Sequence, residues 1–306
     1  MRVCSLLPSA TEILYAIGAG GSVAGVTHEC DFPPEAATKP ALIRPRVDVK
    51  ASAVELDRQV SELVGRGESV YSVDAELLRA ISPDLIVTQD LCHVCAASPD
   101  DLATALSRMD AQPHVLSLAP HSLGDVWDDI RRVGEATGHV SEANALAAAL
   151  ATKVAGIEKR MIAARPRPRV LCLEWLDPFY VGGHWVPEMV EKAGGIDILG
   201  RVGEPSFRVT AEDIAKSSAD VIVVMQCGYK PDRNVGDFIA LRDSPAWPET
   251  WNVLPAVRER RIFAADANSY FSRPGPRLAD GVALLAHILH PDLIPFDPPA
   301  DAIRRL

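Results

Sequence analysis

The chain has 306 residues, of which 48% are hydrophobic and 24% charged, and its formal net charge is −10. That length accommodates two cores, and the composition is that of a folded globular protein. The acidic balance excludes a nucleic-acid surface, which needs a basic stripe; the basic clusters Arg165–Arg169 and Arg258–Arg261 read as solvated loop charges.

No apolar run reaches the ~18 residues that span a bilayer. Residues 2–7 already read as a buried strand, which leaves no room for the regions of a signal peptide. The expectation is a cytoplasmic protein, or a periplasmic or extracellular one where a leader has been removed. Six cysteines are expected to be reduced thiols, with Cys4, Cys172 and Cys227 as small core residues of strand patterns.

Short apolar runs alternate with helix-length amphipathic segments, the grammar of parallel sheets with crossover helices. After the first strand, Ser9 or Thr11 is expected to cap a helix ending near Ile17, and Val23–Val26 forms a second strand before His28-Glu29-Cys30-Asp31. Helices follow at Val54–Val64 and Ala75–Ile81, and strands at Leu85–Val87 and Val115–Ser117. The alanine- and leucine-rich segment from Ser141 to Ala164 predicts one helix of roughly 36 Å, the length of a strut between lobes. The proline-rich Arg165–Arg169 stretch closes it.

The second half restarts the pattern with strands at Val170–Leu173 and Val221–Val224 and a helix at Val186–Ala193. A weak internal repeat relates Glu76…Ser82-Pro83-Asp84-Leu85-Ile86-Val87 to Glu212…Ser218-Ala219-Asp220-Val221-Ile222-Val223, with one Glu-to-Asp spacing in both (84 − 76 = 220 − 212 = 8). The fold expected is α/β: two Rossmann-like parallel-sheet lobes, residues 1–138 and 167–306, joined by a backbone helix over 139–166, with a ligand cleft between the lobes.

Pro8-Ser9-Ala10-Thr11-Glu12, His28-Glu29-Cys30-Asp31-Phe32-Pro33-Pro34, Ala193-Gly194-Gly195 and Ser272-Arg273-Pro274-Gly275-Pro276-Arg277 occur in that order. In these motifs the chain resembles the helical-backbone (class III) substrate-binding proteins of bacterial ABC importers, a family that includes vitamin B12-binding proteins. The resemblance implies a monomeric binding protein for a small molecule, either a cobalamin-like tetrapyrrole or an iron chelate such as a siderophore complex or haem. It implies no required cofactor, no membrane span of its own and an ABC permease as partner. It places Glu76 and Glu212 where the family docks on permease arginines; the competing role of each is a first-turn glutamate favoured by the helix dipole, with Asp74 and Thr210 as the expected caps immediately upstream.

Strand ends and the loops after them supply the expected ligand contacts. From the first half come His28, Arg46, Asp48, Gln89 and Asp90; from the second come Glu174, Trp175, Phe179, Tyr180, Phe207, Gln226, Tyr270, Phe271 and Arg273. Aromatics suit the flat face of a corrin or porphyrin, and polar groups its arms. Arg273 suits a carboxylate or phosphate, or an ordinary salt bridge. Trp175 and Phe207 suit the ligand or the core.

Three departures from the B12-binding pattern make this cleft more polar than a corrin needs. The run Arg44-Pro45-Arg46-Val47-Asp48 replaces a tryptophan, Gln89 replaces an aromatic, and a helix of about Ser52–Gly65 is inserted. Cys92-His93-Val94-Cys95 has the spacing of a metal or redox pair, which His28 and Cys30 would complete as a zinc or iron site. Axial coordination of the ligand's metal by His28 or His93, and inert thiols, are the competing readings. The phosphate-loop, dinucleotide, zincin and nucleophile-elbow motifs are absent, which argues against an enzyme. A cytoplasmic metal-binding protein or metal-dependent enzyme reusing the fold is the alternative, with Asp90, Glu174 and His28 as its acid–base set.

Overall fold

A computed structural model describes residues 1–89, 99–107, 109, 111–294 and 296–306. Asp90, Cys92, His93 and Cys95 lie outside the described residues. The chain divides into two compact units, Met1–Pro120 with Gly124–Ala149, and His121–Leu123 with Leu150–Leu306.

In the first unit the chain runs β1 (Val3–Ser5), α1 (Pro8–Ala16), β2 (Val23–Thr27), β3 (Ala41–Pro45), α2 (Ala53–Gly65), β4 (Tyr71–Val73), α3 (Ala75–Ile81), β5 (Leu85–Gln89), α4 (Pro99–Leu106) and β6 (His114–Leu118), followed by α5 (Leu123–Thr137) and α6 (Val140–Met161). The sheet order is β4-β3-β2-β1-β5-β6, and only β4 is antiparallel to its neighbour. Cys4, Leu42, Leu78 and Ile86 are fully buried in its core. Parallel strands covered on both faces read as apolar runs, which is why β1 and β5 were legible. Neither Ser9 nor Thr11 caps α1. Leu7 holds the cap position without a side-chain bond and Pro8 opens the helix, where its missing N–H costs nothing. The inserted α2 is capped by Ser52, whose Oγ accepts from the Glu55 N–H at 3.3 Å, and none of its residues is buried. The long helix α6 has 22 residues and ends at Met161, before the prolines. The division between the units falls inside it.

The second unit runs β7 (Arg169–Leu176), β8 (Phe179–Val181), α7 (Val186–Lys192), β9 (Ile196–Asp197), β10 (Phe207–Arg208), α8 (Ala211–Lys216), β11 (Val221–Val224), α9 (Pro231–Arg242), α10 (Pro255–Arg258), β12 (Ile262–Ala265), α11 (Ala267–Tyr270), α12 (Leu278–Leu289) and β13 (Ile303–Arg305). The order is β10-β8-β7-β11-β12-β13, with β9 beside β7. Leu171, Ile222, Phe238 and Trp251 are buried in its core. Cys4 and Cys172 are buried as expected, but Cys227 is exposed, because β11 ends at Val224 and the chain turns outward.

The internal repeat is a structural one. Asp84 Oδ2 accepts from the Arg2 N–H at 2.6 Å, and the Asp84 N–H donates to the Arg2 carbonyl at 2.8 Å. Asp220 does the same with Arg169, at 2.8 and 2.9 Å. In each unit the aspartate before β5 or β11 thus closes the start of β1 or β7, the sheet's first strand. Ser82 (φ 48°) and Ser218 (φ 51°) turn the chain out of α3 and α8 in the left-handed region. Each helix is also capped as its sequence indicates, by Asp74 on α3 and by a Thr210/Asp213 capping box on α8.

Two measurements follow from this architecture. A β-branched residue is strained at positive φ, so Ser82→Val and Ser218→Val should each lower stability by about 1–2 kcal/mol while the glycine variants do not, as read by denaturant unfolding. Asp197 accepts from the Leu199 and Gly200 N–H groups at 3.2 and 2.7 Å, yet burial pushes its carboxyl from 3.8 up to about 6. Between those values the folded chain holds a proton that the unfolded chain has released, so this residue makes stability fall as pH rises from 4 to 6. Asp197→Asn should remove that slope, by at most about 2–3 kcal/mol across the window, in unfolding curves at pH 4, 5, 6 and 7.

Candidate functional site

In the second sheet the chain leaves β7 toward β8 and β10, then returns to β11 and β12 on the other side. The carboxyl ends of β7 and β11 therefore flank a topological switch point, the place where open α/β sheets bind ligands. Glu174 and Trp175 stand at the end of β7, and the segment Gln226–Tyr229 follows β11. The Cys227 N–H donates to the Glu174 carbonyl at 3.3 Å, holding the two strand ends together. Ser206 donates to the Glu174 carboxylate. The close approach that brings the Glu204–Ser206 loop here requires Gly183, where a Cβ would lie 2.3 Å from the Ser206 nitrogen.

Trp175 is partly exposed, donates its indole N–H to the Asp177 carbonyl at 3.1 Å, and leans on Tyr229 with ring centroids 5.4 Å apart. Arg233 from α9 lies over the Tyr229 ring, 4.8 Å from its centroid, and is paired with Asp237 at 3.1 Å. Burial pushes the Tyr229 phenol above its usual range, so this tyrosine stays protonated at neutral pH. The result is an aromatic wall backed by a balanced ion pair. Phe207, half-buried on β10, carries the Arg201 guanidinium over its face at 4.7 Å. Phe179 packs on Trp251 with centroids 5.0 Å apart and belongs to the core edge. Tyr180 is half-buried and pairs in register with Trp175.

Three expected contacts sit deeper than the sequence suggested. Gln226 is fully buried, because its amide is tied to Asn234 and Asp237 of α9. Phe271 is buried too, and its carbonyl accepts the Trp185 indole N–H at 2.8 Å, so it is a core residue. Arg273 is buried and engaged. Tyr270 remains half-buried at the end of α11, with burial and then the Asp266 carboxylate raising its phenol pKa.

In the first sheet the switch point lies between β1 and β5. Gln89 ends β5, half-buried and in register with Leu118. His28 follows β2; its Nδ1 is 3.1 Å from the Ile43 carbonyl and its ring is tilted against Tyr71 at 5.9 Å. Arg46 follows β3, exposed, with Asp101 at 3.8 Å. Asp48 is exposed and turns its carboxylate onto the Lys50 N–H at 2.9 Å.

The expected metal role of His28 and Cys30 gains no support among the described residues. The buried Cys30 thiol lies 3.1 Å from Thr11 Oγ1 and 3.3 Å from Thr27 Oγ1, inside a cluster that Ser5 continues at 2.8 Å. The Cys92–Cys95 pair that His28 and Cys30 would complete lies outside the described residues. Among the described residues no group of three or more His, Cys, Asp or Glu could hold a metal ion.

Tyr229, Arg233, Asp237 and Ser206 were missed in the sequence. Tyr229 was within reach of the strand-end rule, since it lies five residues past β11. The others come from α9 and a distant loop, and only packing brings them in. Glu76 and Glu212 are both exposed in the first turns of α3 and α8, and Glu212 pairs with Lys216 at 2.6 Å.

Among known proteins, the chain is 27% identical over 305 residues to an uncharacterized ABC transporter substrate-binding lipoprotein, YvrC, of Bacillus subtilis, covering 95% of this chain and 80% of that one. It is 22% identical over 294 residues to the vitamin B12-binding protein of Vibrio cholerae, covering 92% and 86%. The periplasmic haem-binding protein RhuT from Roseiflexus sp. RS-1 superposes with a TM-score of 0.71 at 25% identity, covering 95% and 98%. Residues 3–269 match the periplasmic binding protein family. With two α/β units of this topology and a family match over that span, the chain belongs to the periplasmic binding proteins.

Proposed function

We propose that this protein is the substrate-binding component of an ABC importer. Its ligand is a metal chelate with a flat apolar face: a cobalamin-like tetrapyrrole, haem or an iron–siderophore complex. The observation that carries the reading is the Trp175–Tyr229 wall at the switch point of the second sheet, the kind of surface on which such a face is held. Phe207 and Tyr270 are proposed as further apolar contacts of this unit, and Glu174 as a polar group for the ligand's arms.

The likeness to a substrate-binding lipoprotein and to a vitamin B12-binding protein supports the same reading. The lipoprotein relative and the periplasmic family point to work outside the cytoplasm, and the cytoplasmic expectation gains no support from them. No helix among the described residues is long and apolar enough to cross a membrane; the importer reading assigns passage across the membrane to a separate permease. The role is binding, with no cofactor of its own. Glu76 and Glu212 are proposed as the permease contacts. Both are exposed, and both open the helix that precedes a matching serine–aspartate turn.

Two experiments test this. Thermal unfolding with a cobalamin, haem and a ferric siderophore should show stabilisation by one of them, about 2.7 kcal/mol at 100-fold excess over Kd. Trp175→Ala should weaken that ligand by about tenfold or more; no shift with any of the three removes the proposal. Glu76→Arg with Glu212→Arg should leave ligand affinity unchanged and abolish stimulation of the cognate transporter's ATPase. Stimulation that survives the double reversal assigns the two glutamates to the helix dipole alone.

A further inference from the structure

Gln226 and Tyr229 begin and end a four-residue turn closed by the Tyr229 N–H donating to the Gln226 carbonyl at 3.0 Å, with Gly228 at φ 85° supplying the positive angle. Each presents one buried polar atom without a hydrogen-bond partner, Gln226 Oε1 and the Tyr229 hydroxyl. Buried polar groups are rarely left so.

The orientation of the Gln226 amide is dictated by its neighbours. Asn234 donates from Nδ2 to the Ala265 carbonyl at 2.9 Å, which makes its Oδ1 the acceptor facing Gln226. That oxygen receives the Gln226 backbone N–H at 3.2 Å and Nε2 at 3.1 Å, and Nε2 also donates to Asp237 Oδ2 at 3.2 Å. The nitrogen side of the amide is therefore spent on acceptors, and what remains is an oxygen that can only accept. Tyr229, protonated at neutral pH, is able to donate. One fixed acceptor and one donor on a single turn match the two edges of a carboxamide.

We propose that the Gln226–Tyr229 turn is a subsite for a carboxamide arm of the ligand, its oxygen accepting from the Tyr229 hydroxyl and its N–H donating to Gln226 Oε1. This rests on the binding role proposed above and narrows the ligand class. A carboxylate arm accepts from Tyr229 but offers nothing to Gln226 Oε1, and it brings a negative charge toward Glu174 and Asp237. The Arg233 cation, 4.8 Å from the ring centroid, is balanced by Asp237. Trp175, which leans on Tyr229 and is only partly buried, borders the subsite on its exposed side.

Titration calorimetry of the full chain and of Tyr229→Phe tests the subsite, with cyanocobalamin carrying carboxamide arms and haem carrying carboxylate arms. The wild-type chain should prefer cyanocobalamin by about tenfold or more. Tyr229→Phe should lose about tenfold on cyanocobalamin and little on haem. Its unliganded melting temperature should be unchanged or higher, since the substitution deletes an unpartnered buried hydroxyl. Equal cyanocobalamin affinity in the two proteins, or a wild-type preference for haem, overturns the subsite while leaving a chelate-binding role intact. Failure of the wild-type chain to bind cyanocobalamin, haem or a ferric siderophore overturns both.

Discussion

A fully buried amide cannot leave its hydrogen bonds unmade without destabilising the fold, and the second unit is organised around that constraint at Asn234. One side chain reaches the Ala265 carbonyl at the end of β12 and the Gln226 backbone after β11, from a helix that packs over both. The bond pair fixes where β11 stops, and with it the turn through Gly228. It also brings Arg233 and Asp237 of the same helix against Tyr229. The aromatic wall and the polar turn behind it are consequences of one buried asparagine.

The first unit solves a related problem with hydroxyls. Ser5, Thr11, Thr27 and the Cys30 thiol form one buried cluster where β1 and β2 end and α1 begins. Capping of α1 by Ser9 or Thr11 was a reasonable expectation from residue type, but Pro8 had already opened the helix. Thr11 was then free to serve the core. The same cluster engages the Cys30 thiol with core hydroxyls, a packing role that its place at a strand end did not announce.

The two units share their closure. Asp84 and Asp220 tie β5 and β11 to the start of β1 and β7, each after a serine in the left-handed region. A repeat visible as eight-residue spacing thus has a mechanical meaning. It also explains why Glu76 and Glu212 sit alike, each exposed at the start of a capped helix whose exit is the same turn.

Much of this was legible in the chain itself. Apolar runs marked β1, β5, β7 and β11, because strands covered on both faces carry little else. Asp74 and Thr210 announced their helices, because capping is decided within four residues. Trp175 and Glu174 were placed at a strand end because strand ends are local features. What the chain alone could not decide was depth. Gln226 and Phe271 lie far deeper than their places at strand and helix ends suggested, while Cys227 looked like core and is exposed. Tyr229 became the aromatic partner of Trp175. Burial depends on which distant helix or loop covers a strand end, and Asn234, Ser206 and Trp185 reach their partners across long sequence separations. Local pattern sets the elements and their ends; the tertiary contacts alone settle which of those ends remains open to a ligand.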